Sequence, residues 1–302
     1  MNYSFCAYNL FFDSYYEPPG GCNKDKICIT PDVTISIGTV AEQLHAPTLA
    51  TDFFQVSPHN FLMTVRDIAR YHVTDGRKII VEPFPGADGD KIRLFLFGSA
   101  MGALLYQRGL FPLHGSAIAT KLGVMIFVGP QGIGKSTLIA HFKRRGYYVL
   151  SDDVCAITND GSSGFRVLPA FPQIRLCSDA FERLDDITDA TSGARYDVDK
   201  YVIPLNQTYS TDNFPLHSIY QLADNDIPEI TQNKLQGFDR VNLLISNLYR
   251  LLYLPGFQNK GHIMQMSADI AKATTMYELQ RPRDTERIEE LIDLLEQQWN
   301  AQ

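Results

Sequence analysis

Only one of the 302 residues is tryptophan and only five are cysteine. Cys6, Cys22, Cys28, Cys155 and Cys177 form an odd set without paired CxxC spacing, which fits neither a disulfide framework nor a zinc site. A reducing, cytoplasmic setting suits such a chain. Basic charge is not in excess either. Twenty-seven Lys and Arg stand against 34 Asp and Glu, a formal charge of -7, and Lys143-Arg144-Arg145 is a small cluster. That field repels nucleic acid and anionic lipid, so no nucleic-acid or membrane partner is expected. The longest apolar stretch, Leu94 to Tyr106, is broken by Gly98, Ser99 and Gly102 and is too short to span a bilayer. Met1 to Phe12 carries aromatics but no basic segment of a secretion signal. Internal repeats and low-complexity linkers are also missing. What is present, 45% apolar and 11% aromatic residues, can build a sizeable core, and the length suits two domains of roughly 150 residues each.

The first ninety residues read as β-rich. Val33, Ile35 and Ile37 alternate with polar neighbours as a half-buried strand requires. Asp75-Gly76, between Tyr71-His72-Val73 and Lys78-Ile79-Ile80-Val81, predicts a hairpin whose turn needs positive φ at both central positions. Pro85 to Asp90 reads as a second turn leading into a strand at Lys91 to Phe95, and Gly98 to Arg108 as a buried helix. From Leu113 the texture changes. Gly115 to Ala119, a turn at Lys121-Leu122-Gly123, and the apolar run Val124 to Val128 predict a strand pair, the second strand buried on both faces. Thr137 to Arg145 reads as a helix closed by Gly146, and Tyr147 to Leu150 as a strand ending in Asp152-Asp153. Strand, loop, helix, strand is the unit of a parallel α/β sheet. Val154 to Thr158 and Phe165 to Leu168 predict a hairpin around Asn159-Asp160-Gly161. Val241, Leu244, Ile245, Leu248 and Leu252 share one helical face until Pro255-Gly256, and Ile288, Leu291, Ile292, Leu295 and Trp299 repeat the pattern.

Gly129-Pro130-Gln131-Gly132-Ile133-Gly134-Lys135-Ser136 fills the G-x-x-x-x-G-K-[ST] template after an apolar strand and before a helix. Glycines let the backbone curl so that N–H groups face phosphate oxygens, and the helix N-terminus adds its positive end. Lys135 supplies a mobile charge, Ser136 a hydroxyl for Mg²⁺, and Thr137 follows in the first turn. Asp152 and Asp153 stand where an acidic residue reaches the metal or an attacking hydroxyl. One carboxylate suffices for the metal, leaving the second as general base for an alcohol, its pKa raised by its neighbour; a solvated strand end or a helix cap would also explain the pair. His114 lies on the preceding strand, where a satisfied core histidine is the alternative to a site residue. Arg175, Arg240, Arg281 and Lys200 are candidates for a catalytic cation, each of which a surface charge also explains.

These residues resemble the catalytic domain of HPr kinase/phosphorylase and its relatives. In that family a histidine precedes the loop lysine by 21 positions, as His114 precedes Lys135, and an Asp-Asp pair follows a basic helix end, as Arg144-Arg145-Gly146 leads to Ser151-Asp152-Asp153. Residues 110 to 160 carry the likeness, with Pro172 to Leu176 and Lys200 to Leu205 resembling segments of the wider group. The resemblance implies an α/β kinase fold of the HPr kinase and PEP carboxykinase type, with a β-rich N-terminal domain over 1–90 that could bind peptide and a catalytic domain over 91–302 ending in helices. It implies ATP and Mg²⁺ as cofactors. Lys135 and Ser136, with Gly129, Gln131, Gly132, Ile133, Gly134 and Thr137, would bind nucleotide; Ser136, Asp152 and Asp153 would face the metal; Asp153 would take the proton of a serine hydroxyl, assisted by His114. The bifunctional members carry a Glu-x-Arg-Gly-Leu-Gly signature, and the nearest segment here, Gln173-Ile174-Arg175-Leu176, lacks the acid and the glycines. Thr137 also replaces a common Glu. The chain is therefore more similar to the kinase-only branch, which includes kinases of lasso peptide biosynthesis acting on the C-terminal serine of a precursor. The acceptor expected is a peptide or protein serine; a free-serine kinase and a non-catalytic nucleotide sensor are the alternatives. Ring-like oligomers occur among the relatives, and the sequence leaves a homo-oligomer open.

Overall fold

The computed structural model describes residues 2–21, 30–159, 161, 164–177, 195–197, 200–205, 214–225, 229–282 and 287–301. Cys22 and Cys28 lie outside them, while Cys6, Cys155 and Cys177 are free thiols. Eight strands build an N-terminal sheet: β1 (Tyr3–Ala7), β2 (Leu10–Ser14), β3 (Val33–Ile37), β4 (Leu49–Ala50), β5 (Phe54–Val56), β6 (Asn60–Val65), β7 (Ala69–Thr74) and β8 (Lys78–Pro83), in the order β1-β2-β3-β8-β7-β6-β5-β4. In β3, Val33 and Ile35 are buried and Thr34 is exposed, as read from the sequence, but Ile37 at the strand end, expected on the same buried face, is exposed. Asp75 and Gly76 both have positive φ, +52° and +61°, and turn β7 into β8.

Lys91 to Phe95, expected as a strand, is helical. Asp88 caps the helix by accepting the N–H of Asp90 at 2.9 Å, so the preceding turn residues start α1 (Gly89–Phe95). A π-turn over Leu96–Ala100 carries the chain into α2 (Met101–Gln107), which is buried along almost its whole length.

The second sheet contains β9 (Phe111–Thr120), β10 (Gly123–Val128), β11 (Tyr148–Asn159), β12 (Phe165–Leu168), β16 (Phe214–Asn225), β17 (Thr231–Lys234) and β18 (Thr275–Pro282). Its order is β10-β9-β11-β12-β16-β18-β17, and β10 also pairs with β16, so five strands close a ring. This corrects the simple parallel unit: β9 lies between β10 and β11, antiparallel to both, and the parallel pairs are β10–β16 and β16–β18. β11 also runs on through the two aspartates to Asn159 rather than ending at them. A small sheet of β13 (Gln173–Cys177), β14 (Arg195–Asp197) and β15 (Lys200–Pro204) stands apart.

On β10, Val124, Ile126 and Val128 join one core and Met125 and Phe127 the other, as a strand buried on both faces requires. The first core continues without a break into the N-terminal sheet and α2. The second packs α3 (Lys135–Arg144) and α6 (Ile288–Asn300) against the opposite face. Between them come α4 (Phe238–Ser246), a 3₁₀ helix over Leu251–Gly256, and α5 (Lys260–Ala273). The single helical face read from Val241 to Leu252 is thus interrupted. Residues 247–249 leave the helix because β9 claims their backbone groups: His114 N–H donates to the Asn247 carbonyl at 2.8 Å and Tyr249 N–H to the Pro112 carbonyl at 2.9 Å. Among the described residues no helix is long and apolar enough to cross a membrane, which says nothing of a β-barrel.

Candidate active site

β10 leaves the sheet at Gly129, and the glycine loop leads into α3. Gly134, at φ +92°, is the residue before the helix and occupies a left-handed conformation that a side chain would strain. No side chain caps α3 and no acid stands in its first turn, whereas His141, Lys143 and Arg144 complement its last turn. No group of the helix itself offsets its positive end, and the acid that approaches it is Asp152 of β11, through the Ser136 hydroxyl. Gln131 and Gly132 are exposed, Ile133 anchors the loop in the core, and Ser136 and Thr137 are half-buried. Lys135 is buried, its Nζ donating to the loop carbonyls of Gly129 (2.7 Å) and Pro130 (3.0 Å). Arg281, at the end of β18, is also buried, and donates from Nη2 to the Ile133 carbonyl. That position corrects the surface-charge reading of Arg281.

Asp152 and Asp153 come from β11, opposite Ser116 and Gly115 of β9. Successive side chains on a regular strand point to opposite faces. Here both carboxylates meet Arg175 of β13: its N–H donates to Asp152 Oδ2 at 2.8 Å, and its Nη1 lies 3.3 Å from Asp153 Oδ2. The departure from alternation sits at Asp153, whose φ is +89°. A non-glycine residue there is strained, and strain of this kind persists only where its surroundings over-determine it. His114 does so from the neighbouring strand, its Nδ1 3.1 Å from the Asp153 carbonyl oxygen and 3.4 Å from Oδ1. Arg175 is thus engaged in the site, not solvated at the surface.

The two aspartates differ in surroundings. Asp152 is buried, and its Oδ1 accepts from the hydroxyls of Ser116 (2.6 Å) and Ser136 (3.0 Å). Burial pushes its carboxyl up, with the Arg175 N–H and the two serine hydroxyls pulling the other way and Asp153 adding to the rise. Asp153 is partly exposed and lines a cleft of about 790 Å³ with His114, Gly129, Gln131 and Arg175. A smaller cavity of about 40 Å³, which shares Gly98, Asp153 and Arg175 with the cleft, brings Tyr8 and Pro19 of the N-terminal region close to the same pair. Of the remaining candidates, Arg240 lies on α4 and does not line the cleft, and the Lys200 side chain lies outside the described residues.

Residues 247–250 were not legible as part of this site. They take over the edge of β9 where β10 departs into the glycine loop, which places Tyr249 and Arg250 on the cleft. The Tyr249 ring lies 6.0 Å from the His114 ring. Room for it is made by Gly98 and Gly102, since a Cβ at Gly102 would stand 2.8 Å from Tyr249 Cδ1.

A divalent ion fits the donor set at Ser136 and Asp152, because a hydroxyl and one carboxylate are what Mg²⁺ takes from a protein when phosphates and water complete its shell. Among the described residues no group of three His, Cys, Asp or Glu side chains could hold a metal without such help.

No protein-family model matches the sequence, and no curated protein matches it. Among solved structures the chain is similar to the Hpr(Ser) kinase/phosphatase from Coxiella burnetii, at 14% identity and a TM-score of 0.33, covering 63% of this chain and 90% of that one. The likeness is a distant one of fold.

Proposed function

We propose that this chain is a kinase that transfers the γ-phosphoryl group of ATP to a serine hydroxyl of a peptide or protein, with Mg²⁺ as cofactor. The observation that carries the reading is the division of labour between adjacent aspartates: Asp152 is tied to Ser136 at the start of α3, while Asp153 is turned onto the cleft beside the glycine loop. A nucleotide-binding protein without an acceptor needs the first and not the second.

The loop backbone, the positive end of α3 and Lys135 would receive the triphosphate, and Ser136 with Asp152 would hold Mg²⁺. The metal supplies charge neutralisation when bound. The acceptor oxygen bonds to the γ-phosphorus as that atom's bond to the β–γ bridging oxygen breaks. The hydroxyl proton passes to Asp153, and ADP leaves with the bridging oxygen. Arg175 and His114 fix the Asp153 carboxylate for this step. Such chemistry asks mainly for positioning and charge, which a strained, over-determined carboxylate provides. The finer proposal is a peptide ending in serine, such as a lasso precursor, whose α-carboxylate would need a neutralising cation as it nears the phosphates. Tyr8 and Pro19 would lie beside it.

Two variants separate binding from chemistry. Lys135→Ala should lose both Mg-ATP affinity and transfer. Asp153→Asn should bind Mg-ATP within about threefold of the parent while transfer falls by roughly 10²–10⁴, the usual share of a general base. Near-parental transfer by Asp153→Asn would remove the base assignment.

A further inference from the structure

A transferring phosphoryl group spreads charge over three oxygens, and arginine is the side chain that commonly meets it. Two arginines of the site are already committed. Arg175 is paired with Asp153, and Arg281 is buried behind the loop on the Ile133 carbonyl. Arg250 differs from both. It is exposed, lines the cleft with Asp153 and Gly129 to Gln131, and its guanidinium rests 5.4 Å above the centre of the Tyr249 ring. Asp153 is within reach of its charge.

Its backbone is strained, with φ +54°, and the strain is enforced from both sides of Tyr249. The Tyr249 N–H donates to the Pro112 carbonyl and its carbonyl accepts from the Tyr106 hydroxyl at 2.9 Å. The ring itself is seated against Gly98 and Gly102. The Tyr249 hydroxyl also takes a hydrogen bond from the guanidinium, so the platform fixes the cation without cancelling its charge and leaves the remaining N–H groups of the fork for an anion.

We propose that Arg250 is a catalytic residue whose guanidinium contacts the γ-phosphoryl oxygens as the group moves from nucleotide to acceptor. This rests on the kinase reading above. Because it acts on charge that develops during transfer, it contributes little to the affinity for nucleotide.

Glycine tolerates the backbone of position 250, so Arg250→Gly removes the side chain without adding strain. The probe is Mg-ADP with and without aluminium fluoride, which mimics the planar phosphoryl group and needs no acceptor. In the full chain, Arg250→Gly should bind Mg-ADP within about threefold of the parent, yet lose on the order of 10² or more of the affinity gained on adding aluminium fluoride. Added guanidinium should restore part of that gain, and Arg250→Lys should restore little because it lacks the fork. An unchanged gain in Arg250→Gly, an equal loss of Mg-ADP affinity, or no gain in the parent protein would overturn the role of Arg250. Failure of the parent to bind Mg-ADP at all would instead overturn the nucleotide reading on which it depends.

Discussion

Replacing Gly102 with alanine sets two effects of opposite sign against each other. Gly102 lies inside α2, where alanine is favoured over glycine by about 1 kcal/mol. The new Cβ, however, would stand 2.8 Å from Cδ1 and 2.9 Å from Cε1 of Tyr249. The ring is buried, and its backbone is bonded at both N–H and carbonyl, so the residue cannot retreat without breaking a contact. Overpacking a filled core typically costs about 1–3 kcal/mol. The sum is a net loss of about 1 kcal/mol, or a melting temperature lower by roughly 2 °C in a chain of this size. Gly98→Ala is the comparator, because its Cβ would meet the Tyr249 hydroxyl at 3.3 Å and asks for a shift of only a few tenths of an ångström. Urea unfolding of the parent and both variants, with m-values compared, measures the difference. Since Tyr249 carries Arg250 and faces His114, the rate of transfer should fall in Gly102→Ala as well. A Gly102→Ala protein more stable than the parent by the helix-propensity amount would show that Tyr249 does not fill this space.

At Asp153 the φ of +89° predicts an inversion of the usual order: Asp153→Gly should be more stable than Asp153→Ala by about 1 kcal/mol in denaturant titration, since both lose the carboxylate and only alanine keeps the strain. Equal stability, or alanine ahead, would remove the strain argument. Glu289 of α6 meets His141 and Arg145 at the end of α3; burial opposes its ionisation, but those partners prevail and hold it below its ordinary 4.5. A depressed carboxyl contributes stability above its unfolded value and loses it as pH falls through its folded value. The parent should therefore lose stability relative to Glu289→Gln on acidification below about pH 4.5, by under about 1 kcal/mol because Glu289 is half exposed. A difference that grows toward neutral pH would contradict that sign. Arg281→Lys keeps a charge but loses the fork that reaches the Ile133 carbonyl, so Mg-ATP should bind roughly tenfold more weakly by equilibrium titration. Unaltered binding would show that the loop does not depend on it.

Much of this site could be read before the structure because its parts are local. The apolar run of β10, the glycine template and the basic end of α3 each occupy a few consecutive residues and obey one periodicity or one turn rule. The hairpin at Asp75-Gly76 and the apolar face of α6 are legible for the same reason. Asp88 was misread because an aspartate that starts a helix and one that makes a turn look alike without knowing that Ile92 and Leu96 are buried together. The sheet order could not be inferred: β9 and β10 form an ordinary hairpin, and only long-range pairing places β11 on the far side of β9. Arg250 was hidden by a convincing helical pattern, Leu244 to Leu252, that β9 overrides by taking the backbone groups of 247–249. Arg281 carried no signal beyond its charge, and tertiary packing alone puts it behind the loop; Arg175 stood in a segment similar to the family signature, but only packing shows its pairing with the aspartates.

If Asp153 is the base, a serine hydroxyl receives phosphate only while the Asp153 carboxylate is intact. The direct measurement is mass spectrometry, with site assignment, of a peptide ending in serine incubated with Mg-ATP and either the parent protein or Asp153→Asn, beside the same peptide amidated at its C-terminus and free serine. The prediction is phosphate on the terminal serine with the parent, slower reaction of the amidated peptide, little reaction of free serine, and loss of product in Asp153→Asn. Efficient phosphorylation of free serine with the peptide inert would contradict the peptide-acceptor claim, and undiminished product in Asp153→Asn would contradict the mechanism.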